Sequence, residues 1–404
     1  MSSETQSLSF EQAVMATPAQ VFYAFTNATA LREWFCDLAT VNPRRDGRLY
    51  LYWNSGYYVA GEFTQLTPSE SITFKWQGRG EPGPTHVQIN LSPTGEGTLV
   101  NLTHASIGSG PEWAEVIAEY KKGWVRGLEN LASNFATGQD LRFVLRPMLG
   151  IGVSDYNAEV AAHLGVPVSE GIRLESTLEG MGAQAAGLQK DDVVVSLAGK
   201  EIANYETLAT ALQGQRAGDK VEVVFYRGPE KKSVQMELSR RPMRELPASV
   251  QSLGEAVRQR YQALQSELDQ FFAGIREAEA SYKPTPNEWS VKEILAHLIQ
   301  GERDSQNYVT SVLGGQEFWS DDFAGNLQAR ITATVNAYPS LAELLAELKR
   351  SYQETVALYA SFPADFPQQR KASFWRLAYG ALETPFHEQD HYAQMKAAID
   401  ASHQ

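Results

Sequence analysis

The apolar positions of this chain change rhythm twice. Between Leu8 and about Phe135 they first alternate and then settle into one long helical repeat. Leu49, Leu51 and Trp53 alternate with Tyr50 and Tyr52, while Val87, Ile89 and Leu91, and then Val100, Leu102 and His104, alternate with polar partners. Such period-two runs predict strands with one buried face. Gly95 and Gly97 supply the turn between the last two. Trp113, Val116, Ile117, Tyr120, Trp124, Leu128, Leu131 and Phe135 then recur at helical spacing. A curved antiparallel sheet wrapped on that helix would bury both apolar faces.

Thr137-Gly138-Gln139-Asp140 breaks the pattern. Short β-like runs around glycine turns follow, at Leu149 to Val153, Gly171 to Leu174, Asp192 to Val195 and Lys220 to Val224, with a helix-like stretch from Tyr205 to Leu212. Arg240-Arg241-Pro242 and Pro247 mark a second linker. From Val250 onward the period is helical, interrupted at Pro284-Thr285-Pro286, Pro339 and Pro363. Four main helices are predicted, at about 249–277, 289–312, 340–361 and 374–400. The expected architecture is multidomain: α+β over 1–138, mostly β over 139–243 and all-α over 244–404.

Composition narrows the function classes. A chain of 404 residues exceeds one ordinary core, so two to four domains are expected. The formal net charge of −13 speaks against a nucleic-acid partner or an anionic membrane surface. No apolar run approaches the ~18 residues of a membrane span. The start, Met1-Ser-Ser-Glu-Thr-Gln, lacks the basic and apolar regions of a secretory leader. A single cysteine, Cys36, excludes an intramolecular disulfide and fits a reducing compartment. It follows Trp34-Phe35 and reads as a buried thiol rather than a nucleophile. A cytoplasmic location is expected.

The sharpest chemical signal is His387 and His391, four residues apart in Phe386-His387-Glu388-Gln389-Asp390-His391. On a helix both imidazoles project to one side and can share a metal ion if a third ligand arrives. His297 is the third candidate. It lies at the edge of the apolar stripe Val291, Ile294, Leu295, Leu298 and Ile299, on a helix that Ser290 and Glu293 would open as a capping box. Glu293, one turn before His297, could orient its second nitrogen. Thr384 would cap, and Pro385 open, the stretch bearing the other two histidines, whose face also carries Gln394. Glu302 and Asp304 are candidate bases, with solvated helix residues as the plainer reading. A plain alternative also exists for the histidines, as packing or solvent-facing side chains.

Asn287-Glu288-Trp289-Ser290-Val291-Lys292-Glu293-Ile294-Leu295-Ala296-His297-Leu298 resembles the Trp-Ser…His-Leu signature of the DinB superfamily, particularly its YfiT-like branch. His387-x3-His391-x2-Gln394 resembles the second half of that signature. The resemblance implies an up-down-down-up four-helix bundle holding a divalent metal, zinc or nickel, on His297, His387 and His391. Relatives include thiol S-transferases that use low-molecular-weight thiols. Three neutral imidazoles would leave a fourth position for water or a thiolate.

In the middle segment, Leu149-Gly150-Ile151-Gly152 and the later run Gly187-Leu188-Gln189-Lys190-Asp191-Asp192-Val193-Val194 through Gly199-Lys200-Glu201-Ile202 resemble a bacterial protease-type PDZ domain. The resemblance implies that amides of Leu149, Gly150 and Ile151 cradle the C-terminal carboxylate of a peptide. That peptide would add as a strand beside Ile151 to Ser154, with Leu208 and Leu212 lining the pocket for its last side chain. No Gly-x-Ser-x-Gly occurs, so protease chemistry is not implied.

Thr17-Pro18-Ala19-Gln20-Val21-Phe22 and Leu31-Arg32-Glu33-Trp34-Phe35 resemble the START-like helix-grip superfamily (SRPBCC), close to homologues of the activator of the heat-shock-protein ATPase. The resemblance implies a cavity for a small apolar ligand. Trp53, Tyr58, Trp76, His104 and Trp124 are its candidate lining, although each could simply fill the core. His104 shares a face with Val100 and Leu102 and reads as a buried, hydrogen-bonded histidine.

Two functions are expected from these parts. In the first, the bundle performs metal-dependent thiol-transferase or hydrolase chemistry with a low-molecular-weight thiol, while the other domains hold ligand and peptide. In the second, the chain is a non-catalytic stress or detoxification adaptor binding ligand, peptide and metal separately. No catalytic residue is named by the pattern.

Overall fold

Alternation along the N-terminal strands builds a seven-stranded antiparallel sheet. In the computed structural model, which describes residues 5–317 and 327–403, the strands are β1 (Thr5–Val14), β2 (Leu38–Val41), β3 (Arg48–Tyr52), β4 (Tyr58–Thr67), β5 (Ser71–Gly78), β6 (Thr85–Pro93) and β7 (Thr98–Gly108). Their order is β1-β7-β6-β5-β4-β3-β2. Val87, Ile89 and Leu91 pair with the strand carrying Val100, Leu102 and His104, and all six side chains are buried. Short helices α1 (Pro18–Thr26) and α2 (Ala28–Trp34) precede β2, and the long helix α3 (Ala114–Thr137) closes the domain. Tyr120, Trp124, Leu128 and Leu131 face the sheet from α3, which ends on Gly138 in the left-handed conformation. The first residues of the N-terminal stretch, read above for a leader, lie outside the described residues.

Residues Asp140–Met243 form a compact unit of their own. Strands β8 (Ile151–Ser154), β9 (Ile172–Thr177), β10 (Val193–Leu197), β11 (Lys220–Arg227) and β12 (Glu230–Glu237) form a sheet in the order β12-β11-β10-β9-β8. This leaves β8 at an edge. Helix α4 (Tyr205–Leu212) buries Leu208 and Ala211 in the unit's core. Asp192 is fully buried, and Arg227 offsets its charge with two bonds of 2.8 Å.

The C-terminal segment is all-helical: α5 (Val250–Phe271), α6 (Val291–Gly314), α7 (Gln328–Ala337), α8 (Leu341–Ala360), α9 (Lys371–Glu383) and α10 (His387–Ala401). Capping boxes start three of the long ones, Ser249 with Ser252, Ser290 with Glu293, and Ser340 with Glu343. Helix α6 packs on α8, α7 and α10, and α8 packs on α5.

Three expectations change here. The helix expected at 374–400 is two helices, broken at Thr384-Pro385-Phe386. Proline disfavours a helical conformation at Thr384, which is extended. Thr384 is not the cap of the last helix, nor Pro385 its first residue; Phe386 occupies the cap position, without a side-chain cap. Its ring is held 5.0 Å from that of Tyr261 and 4.2 Å from the Arg260 guanidinium. Helix α7 was not expected at all.

Together with the N-terminal segment to Gln139, this bundle makes one compact unit. Glu317, just beyond α6, joins them: it binds Arg32 of α2 at 2.8 Å and Arg376 of α9 at 2.8 Å.

Candidate metal centre

The core stripe of α6 fixes the azimuth of His297. Val291, Ile294, Leu295, Leu298 and Ile299 are buried to 1% exposure or less, so the residue beside them is carried to the rim of the core. His297 is 3% exposed, with the Trp289 ring 5.1 Å away. On α10 the buried residues Met395, Ala398 and Ile399 lie on and beside the face that carries the histidines, so that face turns inward. That presents His387 and His391, one turn apart, to α6.

The three rings converge. His297 Nε2 lies 3.3 Å from His387 Nε2, which lies 3.1 Å from His391 Nε2. One ring nitrogen from each residue falls within 4.8 Å of the others. Zinc–imidazole bonds of about 2.0–2.1 Å at tetrahedral angles separate ligand nitrogens by about 3.3 Å. The donor set therefore fits a tetrahedral cation with one vertex left open.

Hydrogen bonding supports the ligand tautomer of His391. Its Nδ1 lies 2.8 Å from Gln394 Oε1, an atom that only accepts, so Nδ1 carries the proton and Nε2 presents a lone pair. Burial, with neighbouring His391 adding to it, holds His387 below the usual histidine range and favours the neutral form that binds metal. The expectation for Glu293 is different from what is found. Its carboxylate closes the capping box on Ser290 and meets Lys283 at 2.9 Å, a structural task at the helix start.

Beside the histidines opens a pocket of about 310 Å³ whose lining includes His387, Gly301, Glu302, Glu388, Tyr261 and Arg260. Gly301 lets α6 approach His387: a Cβ there would stand 3.4 Å from the ring's Nδ1. Two carboxyls line this pocket, half-buried Glu302 and buried Glu388. Glu302 Oε1 accepts from Tyr261 at 2.9 Å and from Thr355, and Glu388 Oε1 accepts from Tyr352 at 2.6 Å. Burial pushes the Glu302 carboxyl up to about 7, with the Glu388 charge adding to the shift. Glu388 is 4% exposed and is raised for the same first reason. Glu302 is thus half-buried and held by two hydroxyls, whereas Asp304 faces an ordinary partner, Arg330 at 3.0 Å.

The signal for Glu302 and Glu388 lay in their register. Glu302 is seven residues from both Leu295 and Val309, and Glu388 is seven before Met395; all three apolar residues are core. An acid on an apolar stripe is the informative exception to burial rules.

Other candidate residues fall elsewhere. Leu149 is buried, and its carbonyl accepts from Ala183 at 3.0 Å, while that of Gly150 accepts from Leu178 at 2.8 Å. Gly150 is left-handed at φ 77°, and a Cβ there would lie 2.3 Å from Met181 Cβ. Ile151 and Gly152 belong to edge strand β8, Leu208 is core, and Leu212 is half-buried against it. In the helix-grip domain, Trp76, His104 and Trp124 pack together, joined by Tyr120, whose ring stacks 4.1 Å from that of His104. His104 accepts from Trp124 Nε1 at 3.0 Å and contacts Thr85 at 2.7 Å, and burial pushes it down to about 3. Trp53 lies at the margin, its indole bound to the Phe35 carbonyl at 2.7 Å. Tyr58 does not join them. It precedes buried Val59, so strand parity turns it outward, 38% exposed, against Tyr50. Tyr57 is the inward tyrosine, bonded to Glu81.

Comparison with known proteins divides the chain in the same places. Family models match residues 15–136 as an activator of Hsp90 ATPase homolog 1-like protein, 147–238 as a PDZ domain and 260–395 as the DinB superfamily. The three segments are a helix-grip domain, a PDZ domain and a DinB-type bundle. A "Probable periplasmic serine endoprotease DegP-like" of Marinomonas sp. is 29% identical over 99 residues, 24% of this chain and 21% of its own length. A "Probable periplasmic serine protease do/HhoA-like" of Haemophilus influenzae is 27% identical over 161 residues, 38% of this chain and 33% of its own. This chain thus spans a third or less of those relatives. Among solved structures, CalU16 from Micromonospora echinospora is 26% identical over 33% of this chain and 76% of its own, with a TM-score of 0.29. The Aha1 dimer from Colwellia psychrerythraea is 19% identical over 32% and 96%, with a TM-score of 0.28. Among the described residues, no helix is long and apolar enough to cross a membrane.

Proposed function

We propose that the bundle is a metal-dependent enzyme that activates a small thiol, or water, for transfer to or hydrolysis of a small electrophile. The observation that carries this reading is the convergence of His297, His387 and His391, with nitrogens 3.1 and 3.3 Å apart, at a pocket of molecular size. Zinc or nickel suits three imidazoles. When bound, such a cation supplies Lewis acidity and lowers the pKa of the nucleophile. The chain's own residues bind and orient: His391 is aimed by Gln394, and Arg260 sets a positive charge at the pocket for an anionic substrate group.

The PDZ unit binds protein C-terminal peptides along β8 and the helix-grip domain holds a small apolar ligand; these domains deliver or regulate. A reducing, cytoplasmic setting belongs to this reading and rests on the lone buried thiol of Cys36, although the PDZ relatives carry periplasmic names. The test is turnover of 2-mercaptoethanol with 1-chloro-2,4-dinitrobenzene by protein stripped with a chelator and reloaded with zinc or nickel. Activity should return with metal and be absent in His387→Ala. Equal rates in stripped and reloaded protein would contradict the reading.

A further inference from the structure

Both described hydrogen bonds to the Glu302 side chain, from Tyr261 and from Thr355, end on Oε1. Oε2 is left to the pocket that Glu302 lines together with His387. The backbone of α6 comes against His387 at Gly301, one residue before Glu302, so this carboxyl is held by the same close helix approach that assembles the histidines. A carboxyl placed on a core stripe is costly to bury, and here two hydroxyls from two other helices are spent holding one of its oxygens.

Resting on the reading of the bundle as a metal-dependent enzyme, we propose that Glu302 is the acid–base residue of this pocket. Its Oε2 takes the proton of an entering small thiol. The S–H bond breaks and its electron pair stays on sulfur, which bonds to the electrophile as the leaving group departs with the pair of the broken bond. The carboxyl then gives its proton to that leaving group or, when it is as weak a base as chloride, to water. Tyr261 and Thr355 hold Oε1 and so fix where Oε2 points.

The surroundings suit a group that must change protonation near neutrality. Burial sets the carboxyl at about 7. The groups facing it are Tyr261 from α5, Tyr352, Thr355 and Tyr359 from α8 and Glu388 from α10. Arg260 of α5, Tyr308 of α6 and Arg376 of α9 line the same pocket. Apart from His387, which lines the same pocket, only the two glutamates among them change charge between about pH 4 and 9.

Glu302→Gln is the discriminating variant, because its amide oxygen still accepts from Tyr261 and Thr355 but cannot take up a proton. Infrared spectra of the metal-free full chain should contain a protonated-carboxyl band that disappears with a midpoint near 7 and is missing in Glu302→Gln. In zinc-loaded protein with the same thiol and electrophile, wild-type turnover should rise with pH as the carboxyl loses its proton, at a midpoint the cation sets below that of the metal-free chain. The variant should lose about 10²–10⁴-fold in kcat with a flat pH profile, while metal content stays that of wild type. A Glu302→Gln protein with the wild-type band or the wild-type profile would overturn the assignment alone. No metal-dependent turnover in wild type would overturn the enzyme reading, and the assignment with it.

Discussion

Gln394 and His391 are joined by a 2.8 Å contact between Oε1 and Nδ1, and this contact decides which nitrogen of the imidazole faces its two neighbours. Gln394→Ala should therefore weaken metal binding about 10–100-fold without changing helicity. Competition against a chromogenic chelator, with circular dichroism alongside, checks both halves. Unchanged affinity would mean that the helix alone orients His391.

The half-buried carboxyl of Glu302 gives the metal-free bundle a definite pH dependence. Below about pH 4.3 the group is protonated in both folded and unfolded chains. Between there and its folded value of about 7 the folded protein keeps a proton that the unfolded chain has lost, so stability falls as pH rises. Above about 7 the penalty is complete, about 2 kcal/mol after allowance for partial solvation and coupling to Glu388. Glu302→Gln should remove this component. Its urea midpoint relative to wild type, measured in chelator at pH 5 and pH 8, should rise at the higher pH. An equal difference at both pH values would contradict the shift.

Glu317 is buried between two guanidiniums, Arg32 of the helix-grip domain and Arg376 of the bundle. Removing the anion leaves two like charges facing each other with little water. Glu317→Ala should cost about 3 kcal/mol, whereas replacing all three residues together by apolar ones of similar size should cost less. Unfolding of the three single variants and the triple variant settles the order. A triple variant worse than Glu317→Ala would show that the charges themselves are needed.

In the PDZ unit, Leu212 is half-buried beside core Leu208 and can change without emptying the core. Leu212→Lys should keep the unit folded and weaken binding of hydrophobic-ended C-terminal peptides at least tenfold (about 1.4 kcal/mol). A peptide library read by fluorescence polarisation checks this. Binding unaffected by Leu212→Lys, or absent in wild type at high micromolar concentration, would remove the groove from the account.

Periodicity carried most of the fold. The alternation of Val87 to Leu91 and Val100 to His104 marked paired strands, and the helix from Tyr205 to Leu212 was found with the bounds it has in the structure. The histidines were legible because a four-residue spacing and a capped stripe are local facts. What escaped depended on tertiary context. Tyr58 could have been excluded by parity with Val59, but the strand's buried face is known only once β3 and β5 flank it. Glu302 and Glu388 break the polar-outside pattern, and their role follows from Tyr261 and Tyr352, which approach from α5 and α8. The break before His387 was visible as Thr384-Pro385, yet the cap falls one residue later, on Phe386, whose ring docks on Tyr261 and Arg260.

The most direct test of the central claim is the metal content of protein purified without a histidine tag, measured by mass spectrometry of the elements. About one zinc or nickel ion per chain is expected, and it should be lost in His297→Ala, the ligand contributed by the other helix. Wild-type protein without a stoichiometric ion after zinc and nickel reconstitution, or His297→Ala that keeps it, would contradict the account.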